Sequence, residues 1–406
     1  LALAIGAALL AGFFFWLDGQ LAGTPRGENY WIFRATNLQT HDLLRNMVSS
    51  GLGLMGILFS VTLVPLSIAA SQFGWIVLRF FFRDRGIQVV LGLFTAMVLY
   101  AALLDYLIAL DQSTTVQARF SVNVGLLLAL ACLGALLYFF NHVAALLQGS
   151  SVVARAGVML EQAIEVDYPA MDPQPSRPEQ EDAEEQRAAV AKHGVSVAAT
   201  GTGYLRTRDE ELLMRVAVDN QLVIFVERSP GEFVVAGDPL LRYLAEGDVD
   251  EKLAESINDA FTMGDYRTPL QDTEFSFYSL VAMAVRALSP SINDPFTASA
   301  CIDRLAVGLS RIAERHQPSP YFFDKDGHLR LIIDPVSFRR LTNVSFNQIR
   351  EYGAGNPEIM IRMLRAIAAI ATRANQVVEQ KALRHHAEQI EQSSKLAIPP
   401  GWDRDR

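Results

Sequence analysis

The chain has 406 residues, half of them hydrophobic, and a formal net charge of −9. An acidic balance argues against nucleic acid as a partner, because phosphate binding needs a basic surface. Apolar residues are concentrated before residue 150, whereas acids and prolines crowd the rest. We therefore expect an α-helical polytopic membrane domain over residues 1–150, followed by an α+β domain that is mainly helical with a small β-module.

Four stretches are apolar and long enough to be membrane spans, since a helix needs about 20 apolar residues to cross the hydrocarbon core. They cover approximately residues 1–17, 51–78, 88–110 and 122–147. Between the first two, an aromatic and apolar segment over residues 28–47 predicts a short helix lying at the outer interface.

The orientation follows from the cationic residues beside the spans. Arg79, Arg83 and Arg85 form the densest cluster, directly after the second span. Positive residues favour the cytoplasmic side. We therefore expect both termini, and the large C-terminal domain, in the cytoplasm.

The second span carries small and polar residues that a lipid-facing helix does not need. The set consists of Gly53, Gly56, Ser60, Thr62, Pro65, Ser67, Ser71 and Gln72. Proline removes a backbone hydrogen bond inside the membrane, and the Thr62 hydroxyl is a candidate to compensate. Two interpretations stay open. Small residues permit close packing between helices, or the polar stripe lines a water-filled path in a homo-oligomer.

One acidic residue, Asp105, lies within the third span, about four residues from its outer end. An ionisable residue inside a span is a functional candidate by default. Its position near the interface is equally compatible with simple solvation.

The polar part divides by composition. Residues 151–195 predict a connector helix and a linker rich in proline and acids, extended over 172–190. Residues 196–245 predict a small β-module, and residues 246–406 a helical domain whose last helix starts after Gly355 and runs to about Ala397. Asp326-Gly327 predicts the turn of a hairpin within that domain. Asp294-Pro295, Asp334-Pro335 and Asn356-Pro357 each predict a helix start with an N-cap acceptor before proline.

The stretch "RALSPSINDP", residues 286–295, joins two predicted helices. The first is expected to end at Leu288, because the residue before Pro290 is pushed out of helical geometry. Asp294 then caps the second helix, and a buried Arg286 paired with Asp294 would act as a structural clasp. The alternative is a reactive loop, with Ser289 or Ser291 as nucleophile and Asn293-Asp294 orienting a substrate.

Several strings occur together in an order that resembles a known family. They are "ASQFG", "LRFFFRDRGIQVVLGLF", "LLYFFNHVAALLQ", "GYLR" and "RALSPSINDPFTA". The chain is similar over nearly its whole length to the bacterial membrane proteins grouped as domain of unknown function 2254. The resemblance implies the membrane architecture, a location in a bacterial inner membrane, and no chemistry. This chain has Gly74-Trp75-Ile76 where the family tends to show Ser-Pro-Arg, so it lacks a helix-breaking proline there.

The sequence contains no HExxH, GxSxG or GxxxxGK(S/T) motif, and we expect neither a cofactor nor a metal. Three functions remain. The first is a homo-oligomeric ion channel or transporter with a cytoplasmic regulatory domain. The second is a membrane-anchored protein whose cytoplasmic domain binds a partner or small ligand. The third, weakest, is a membrane enzyme. The expected partners are membrane lipids, further copies of the chain, and an unidentified ion or small ligand.

Overall fold

A computed structural model gives the fold and describes residues 2–21, 37–110, 119–168, 177–245, 252–269, 271–315 and 317–401. The chain forms two compact units, residues 1–152 and 153–406. Each unit is described by itself below.

The first unit is helical. Its elements are α1 (Ala2–Leu21), α2 (Asn37–Phe73), α3 (Trp75–Arg83), α4 (Arg85–Leu110) and α5 (Arg119–Leu146). Within the described residues, α1, α2, α4 and α5 are long and apolar enough to cross a membrane. Helix α4 lies at the centre and packs on the other three. It buries Phe94, Met97, Tyr100 and Leu104. The prediction of four candidate spans in a mostly helical protein is confirmed.

The helix that contains the second predicted span begins earlier and ends sooner than residues 51–78. Helix α2 begins at Asn37, so the later part of the 28–47 segment continues into the span instead of forming a separate interfacial helix. The earlier part, 28–36, lies outside the described residues. The helix ends at Phe73, because Gly74 takes a φ of 79°, in the left-handed region that glycine tolerates. Hydropathy does not reveal this break, since the residues after it are still apolar.

Helix α3 has one buried side and one exposed side, and both carry apolar residues. It buries Ile76, Val77 and Phe81, and it exposes Trp75 and Phe82. The helix therefore breaks at Gly74, although no proline stands there.

The second unit combines helices and strands. Its helices are α6 (Gly149–Asp167, which begins just before the unit), α7 (Arg177–His193), α8 (Glu210–Asp219), α9 (Leu253–Asp259), α10 (Thr273–Ala287), α11 (Pro295–Ala313), α12 (Phe338–Gly353), α13 (Pro357–Ala371) and α14 (Val377–Ala397). Its strands are β1 (Val195–Ala198), β2 (Gly203–Arg208), β3 (Leu222–Val226), β4 (Phe233–Val234), β5 (Pro239–Ala245), β6 (Phe261–Gly264), β7 (Tyr321–Phe323) and β8 (Leu329–Ile333).

Two sheets organise this unit. A five-stranded sheet has the order β1-β5-β3-β8-β7, and a three-stranded sheet has the order β4-β2-β6. Strand β3 is parallel to β8 and antiparallel to β5. Successive side chains of a strand point to opposite faces. Leu222 and Ile224 therefore enter the main core, whereas Val223 and Phe225 pack on the other face, with Ala183 of α7.

The remaining helices pack on one another. Helix α10 contacts α11 and α12, α11 contacts α13, and α14 contacts both α12 and α13. Both free cysteines, Cys132 in the first unit and Cys301 in α11, are buried. Burial raises the pKa of Cys301 to about 12. Its thiol is therefore an inert part of the core.

Four predictions for this unit are corrected. Most of the linker predicted over 172–190 is helix α7, which places Ala183 and Val190 against the sheet. The sheets extend beyond 196–245, since β6, β7 and β8 come from later residues. Helix α12 begins after Ser337 instead of Asp334. The single long helix predicted to run to about residue 397 is interrupted between α13 and α14. The hairpin at Asp326-Gly327 is confirmed as β7–β8.

The 286–295 joint is a helix connection. Helix α10 ends with Leu288 as C-cap, as predicted. Asp294 accepts hydrogen bonds from the Thr297 amide at 3.0 Å and the Thr297 hydroxyl at 2.5 Å. Arg286 is exposed, and no ion pair joins it to Asp294, both residues being described, so the predicted clasp is wrong. Asn293 contributes a φ of 51°, which asparagine tolerates.

The cap role of Asp294 predicts a modest loss of stability on its removal. We expect Asp294→Ala to lower the free energy of unfolding by about 1 kcal/mol, because two hydrogen bonds at the start of α11 are lost. Asp294→Asn keeps a capping acceptor and should remain close to the parent. Thermal unfolding of the full chain in detergent, followed by circular dichroism, measures both. Arg286→Ala is the control, and a loss as large as that of Asp294→Ala would restore the clasp.

Candidate functional site

A cavity of about 290 Å³ lies within the second unit. It forms where the end of α6, the start of α10, the end of β2, a turn at Ser229-Pro230 and the segment after β8 meet. Its charged lining consists of Asp167, Arg208, Glu210, Asp272, Glu274, Asp334 and Arg340. A concave space lined by charged groups, some of them buried, is a candidate binding site.

The end of α6 forms one wall. Tyr168 is buried, and its hydroxyl donates to the Val336 carbonyl at 2.5 Å. The Arg315 guanidinium donates to the Ile164 carbonyl at 3.2 Å and also to the Tyr168 carbonyl. Carbonyls at a helix C-terminus lack intrahelical partners. Arg315 therefore supplies the missing donors and holds this end of α6, with Asp167, in place.

Asp167 is the carboxylate at this wall. It accepts a hydrogen bond from the Thr273 hydroxyl on α10. Burial raises its pKa, while the hydrogen bonds from Thr273 and, less strongly, the nearby Arg208 charge act in the opposite direction. The site therefore holds a carboxylate whose ionised form is incompletely stabilised.

Arg208 forms a second wall from the end of β2. Its side chain is 8% exposed and donates to Glu210 Oε1 at 2.7 Å. Its Nε has no hydrogen-bond acceptor among the described residues. An unsatisfied buried N–H costs about 1–3 kcal/mol, more where the group is charged. Such an orphan donor is a sign that a water molecule or a ligand supplies the acceptor.

The backbone of Arg208 is fixed by a side chain. The Gln271 amide accepts from the Arg208 N–H at 2.8 Å and donates to the Arg208 carbonyl at 3.1 Å. Gln271 thus replaces a strand partner at the end of β2. This pairing connects β2 to the segment that begins α10.

Asp272 connects three segments at the cavity. It caps α10 by accepting from the Phe275 amide at 2.9 Å. Arg267 donates to both of its oxygens at 3.0 Å. A side chain at Gly231 would clash with this carboxylate, so the 230–231 turn lies directly on it. Burial raises the pKa of Asp272 to about 6, against the opposing effect of Arg267.

All but one of the described carboxylates that line the cavity are in ion-pair contact with an arginine. Four of its carboxylates have an arginine in ion-pair contact: Glu210 with Arg208, Asp272 with Arg267, Glu274 with Arg340, and Asp334 with Arg187. Asp167 is the fifth, and no ion pair joins it to a described cationic side chain. The described residues also contain no cluster of three or more metal-ligating side chains.

The residues predicted from the sequence lie elsewhere. Gly53, Gly56, Ser60, Ser67 and Ser71 are exposed on α2. Pro65 is also exposed, Gln72 is half-buried and Thr62 is buried. The Thr62 hydroxyl donates to the Leu58 carbonyl at 2.8 Å. It therefore does not compensate for the carbonyl of Val61 that Pro65 leaves free, contrary to prediction.

Asp105 has partners that the sequence did not reveal. His41 Nδ1 lies 2.5 Å from one of its oxygens and Arg45 Nε 3.5 Å from the other. At the opposite end of α4, His142 Nε2 lies 2.7 Å from Asp84 Oδ1. These contacts tie the ends of the helices together, and Asp105 is thus paired.

The 286–294 loop contributes nothing to the cavity. Ser289 Oγ donates to the Arg286 carbonyl at 2.7 Å and lies 3.3 Å from Ser291 Oγ. No histidine or carboxylate is hydrogen-bonded to either hydroxyl in the described part of the chain. The arrangement lacks the base that a serine nucleophile requires.

Comparison with known proteins provides a family and no activity. The model of a family described as "Predicted membrane protein (DUF2254)" matches residues 1–369. Relatives include the uncharacterized proteins Rv1290c of Mycobacterium tuberculosis and Mb1321c of Mycobacterium bovis, each 28% identical over 324 residues. The match covers 78% of this chain and 61% of each relative, so the chain spans less than two thirds of their length. No solved structure matches the chain.

Because the 230–231 turn lies on Asp272, a side chain added at Gly231 should destabilise the unit. We expect Gly231→Ala to destabilise the unit by about 2 kcal/mol more than Gly237→Ala, as overpacking typically costs 1–3 kcal/mol. Both glycines have positive φ, 93° and 97°, so both variants carry similar backbone strain. Only Gly231 faces Asp272, whereas no described atom lies within 4 Å of a Cβ at Gly237. Equal losses in thermal unfolding of the two variants would contradict the contact.

Proposed function

Because the chain belongs to the family described as "Predicted membrane protein (DUF2254)", we propose that it acts at a membrane, as an anchored protein whose 153–406 unit binds a small polar ligand. The observation that carries this proposal is the buried Arg208, which lines the cavity and whose Nε has no acceptor among the described residues. Leaving such a donor without an acceptor is costly, because the loss of its hydration is not compensated.

The size and composition of the cavity support the same function. A volume of about 290 Å³ has room for about ten water-sized groups at ~30 Å³ each. Charged groups line the cavity, and Phe322, Ile333 and Val336 add an apolar lining. Small-molecule sites combine these features, an apolar wall and a few fixed polar groups.

The proposal includes a cytoplasmic location for this unit and a bacterial inner membrane for the spans. The positive cluster Arg79, Arg83 and Arg85 supports it, and four spans leave both ends of the membrane unit on one side. Protease added to inside-out vesicles should digest the 153–406 unit, whereas protease added to intact spheroplasts should not. The reverse pattern would overturn this orientation.

Filling the cavity should abolish ligand binding. Ser229 lines the cavity, and we expect Ser229→Trp to remove thermal stabilisation by any small molecule that stabilises the full chain. Ser291→Trp is the matched control, because Ser291 is exposed in the 286–294 loop, and it should respond like the parent. The measurement is a thermal-shift screen of polar metabolites in detergent. Hits that survive Ser229→Trp, or no hit at all, would count against the proposal.

A homo-oligomeric channel or transporter is the second candidate. The face of α2 that carries Gly53, Gly56, Ser60, Ser67 and Ser71 is exposed in the single chain, and this favours an oligomer. Small residues on such a face permit close contact with a second copy, or line a path between copies.

The channel candidate predicts ion flux that depends on this face. We expect proteoliposomes to pass ions, and Ser60→Leu and Ser67→Leu to change the flux, because leucine fills the space that serine leaves. Val61→Leu is the control, at an exposed position on a neighbouring face of α2. Vesicles that stay as tight as protein-free liposomes under every gradient would exclude this candidate.

A further inference from the structure

The unpaired groups of the cavity define what its occupant must offer. We infer that the ligand is a small zwitterion with an aliphatic body, its ammonium group facing Asp167 and its carboxylate facing Arg208. This inference rests on the proposed binding function and narrows it to a ligand class. Asp167 and Arg208 line the same cavity, and they lie near enough for the Arg208 charge to act on Asp167.

Asp167 is the carboxylate of the cavity that has no cationic partner in the part of the chain that the structure describes. Among the described residues, the hydrogen-bonding partner of Asp167 is Thr273, which brings no charge. The other lining carboxylates each have an arginine in contact. A buried carboxylate is costly unless it is paired with a cation. An ammonium group on the ligand would supply the cation that the protein does not.

Arg208 is the cation of the cavity that has a donor unpaired by any described residue. Arg208 uses one terminal nitrogen on Glu210, and its Nε has no acceptor within the described part of the chain. Guanidinium groups bind carboxylates through two parallel N–H groups, which makes a carboxylate a well-matched acceptor. A neutral oxygen would satisfy one donor only.

A ligand with a single charge does not match both Asp167 and Arg208. A simple amine would pair with Asp167 and leave Arg208 Nε without an acceptor. A simple acid would reach Arg208 but add a negative charge beside Asp167 and Glu210. A zwitterion satisfies both groups and leaves the net charge of the cavity unchanged. Its ammonium and carboxylate are also close together, as the proximity of the two protein groups requires.

The remaining wall suggests the body of the ligand. Phe322, Ile333 and Val336 line the cavity beside the charged groups. Ile333 is 7% exposed and belongs to the core of the unit. This surface fits a short aliphatic group better than a third charge. An aliphatic amino acid of about nine heavy atoms suits a space for about ten water-sized groups.

Three probes with the same isobutyl body test the inference. They are L-leucine, 3-methylbutylamine, which lacks the carboxylate, and 4-methylpentanoate, which lacks the ammonium. We expect isothermal titration of the full chain in detergent to give L-leucine, or a shorter aliphatic amino acid tested beside it, at least 10-fold tighter binding than its amine or its acid. Binding of the amine or the acid that equals that of the amino acid would overturn the zwitterion.

Two single-residue variants assign the two ends of the ligand. Asp167→Asn should weaken the amino acid and the amine at least 10-fold and spare the acid. Arg208→Lys, which keeps the charge but loses the Nε donor, should weaken the amino acid and the acid and spare the amine. Asp303→Asn is the control, since Asp303 pairs with Arg362 outside the cavity. Weakening of all three probes by the same factor would contradict the assignment.

The outcome also separates this inference from the function on which it rests. If no aliphatic amino acid binds, but another compound gives a thermal shift that Ser229→Trp abolishes, the zwitterion is wrong and the binding function stands. If the amino acid binds and Ser229→Trp leaves the binding unchanged, the ligand occupies another place and the inference fails. If no compound gives a shift that depends on Ser229, both fail.

Discussion

The buried charge of Asp272 is the constraint on which the 153–406 unit depends. A carboxylate held away from water is costly unless cations and N–H groups surround it. Arg267 and the first turn of α10 provide them, and the turn at Gly231 closes over the group. None of these segments can move away without uncovering or unpairing the charge. These contacts therefore fix the shape of the cavity, since Ser229-Pro230 and Glu274, which line it, belong to the same segments.

The opposite wall is held by a cation at a helix end. Arg315 donates to the carbonyls that α6 leaves free and pairs with Glu165 at 2.7 Å. A planar guanidinium can make these contacts together, whereas a lysine has one point of charge. Tyr168 fixes the end of α6 from the other direction through the Val336 carbonyl. Asp167 is thus placed by rigid neighbours, as a ligand-binding group must be.

The sequence predicted the features that depend on local composition. Long apolar runs identify the spans, and Asp294 and Asn356 before proline identify two helix starts, because both signals lie within a few adjacent residues. The break at Gly74 was missed because a backbone angle leaves no mark in hydropathy. Helix α7 was missed because proline and acids suggested a linker, although Ala183 and Val190 lie two helical turns apart on its buried side.

The candidate site escaped prediction for a different reason. Asp167, Arg208 and Asp272 are far apart in the chain, and the packing of two sheets and several helices brings them together. One local signal was available, since Asp272 stands before the apolar run of α10 with the spacing of an N-cap. Its second role, as the partner of Arg267 under Gly231, follows only from the fold. Asp334 shows the limit of the cap signal, because the same Asp-Pro pattern there pairs with Arg187 and begins no helix.

The pairing of β3 with β8 also affects how the protein is made. Ile224 lies beside Leu331 in the central part of the sheet, yet the ribosome synthesises Leu331 long after Ile224. Until then, one edge of β3 has no hydrogen-bonding neighbour, and its apolar residues lack their contacts with β8. Such long-range closure is slow and leaves a strand edge open to wrong association. Translation that pauses before β8 would therefore yield a nascent chain prone to aggregation, tethered to the membrane through spans that are already complete.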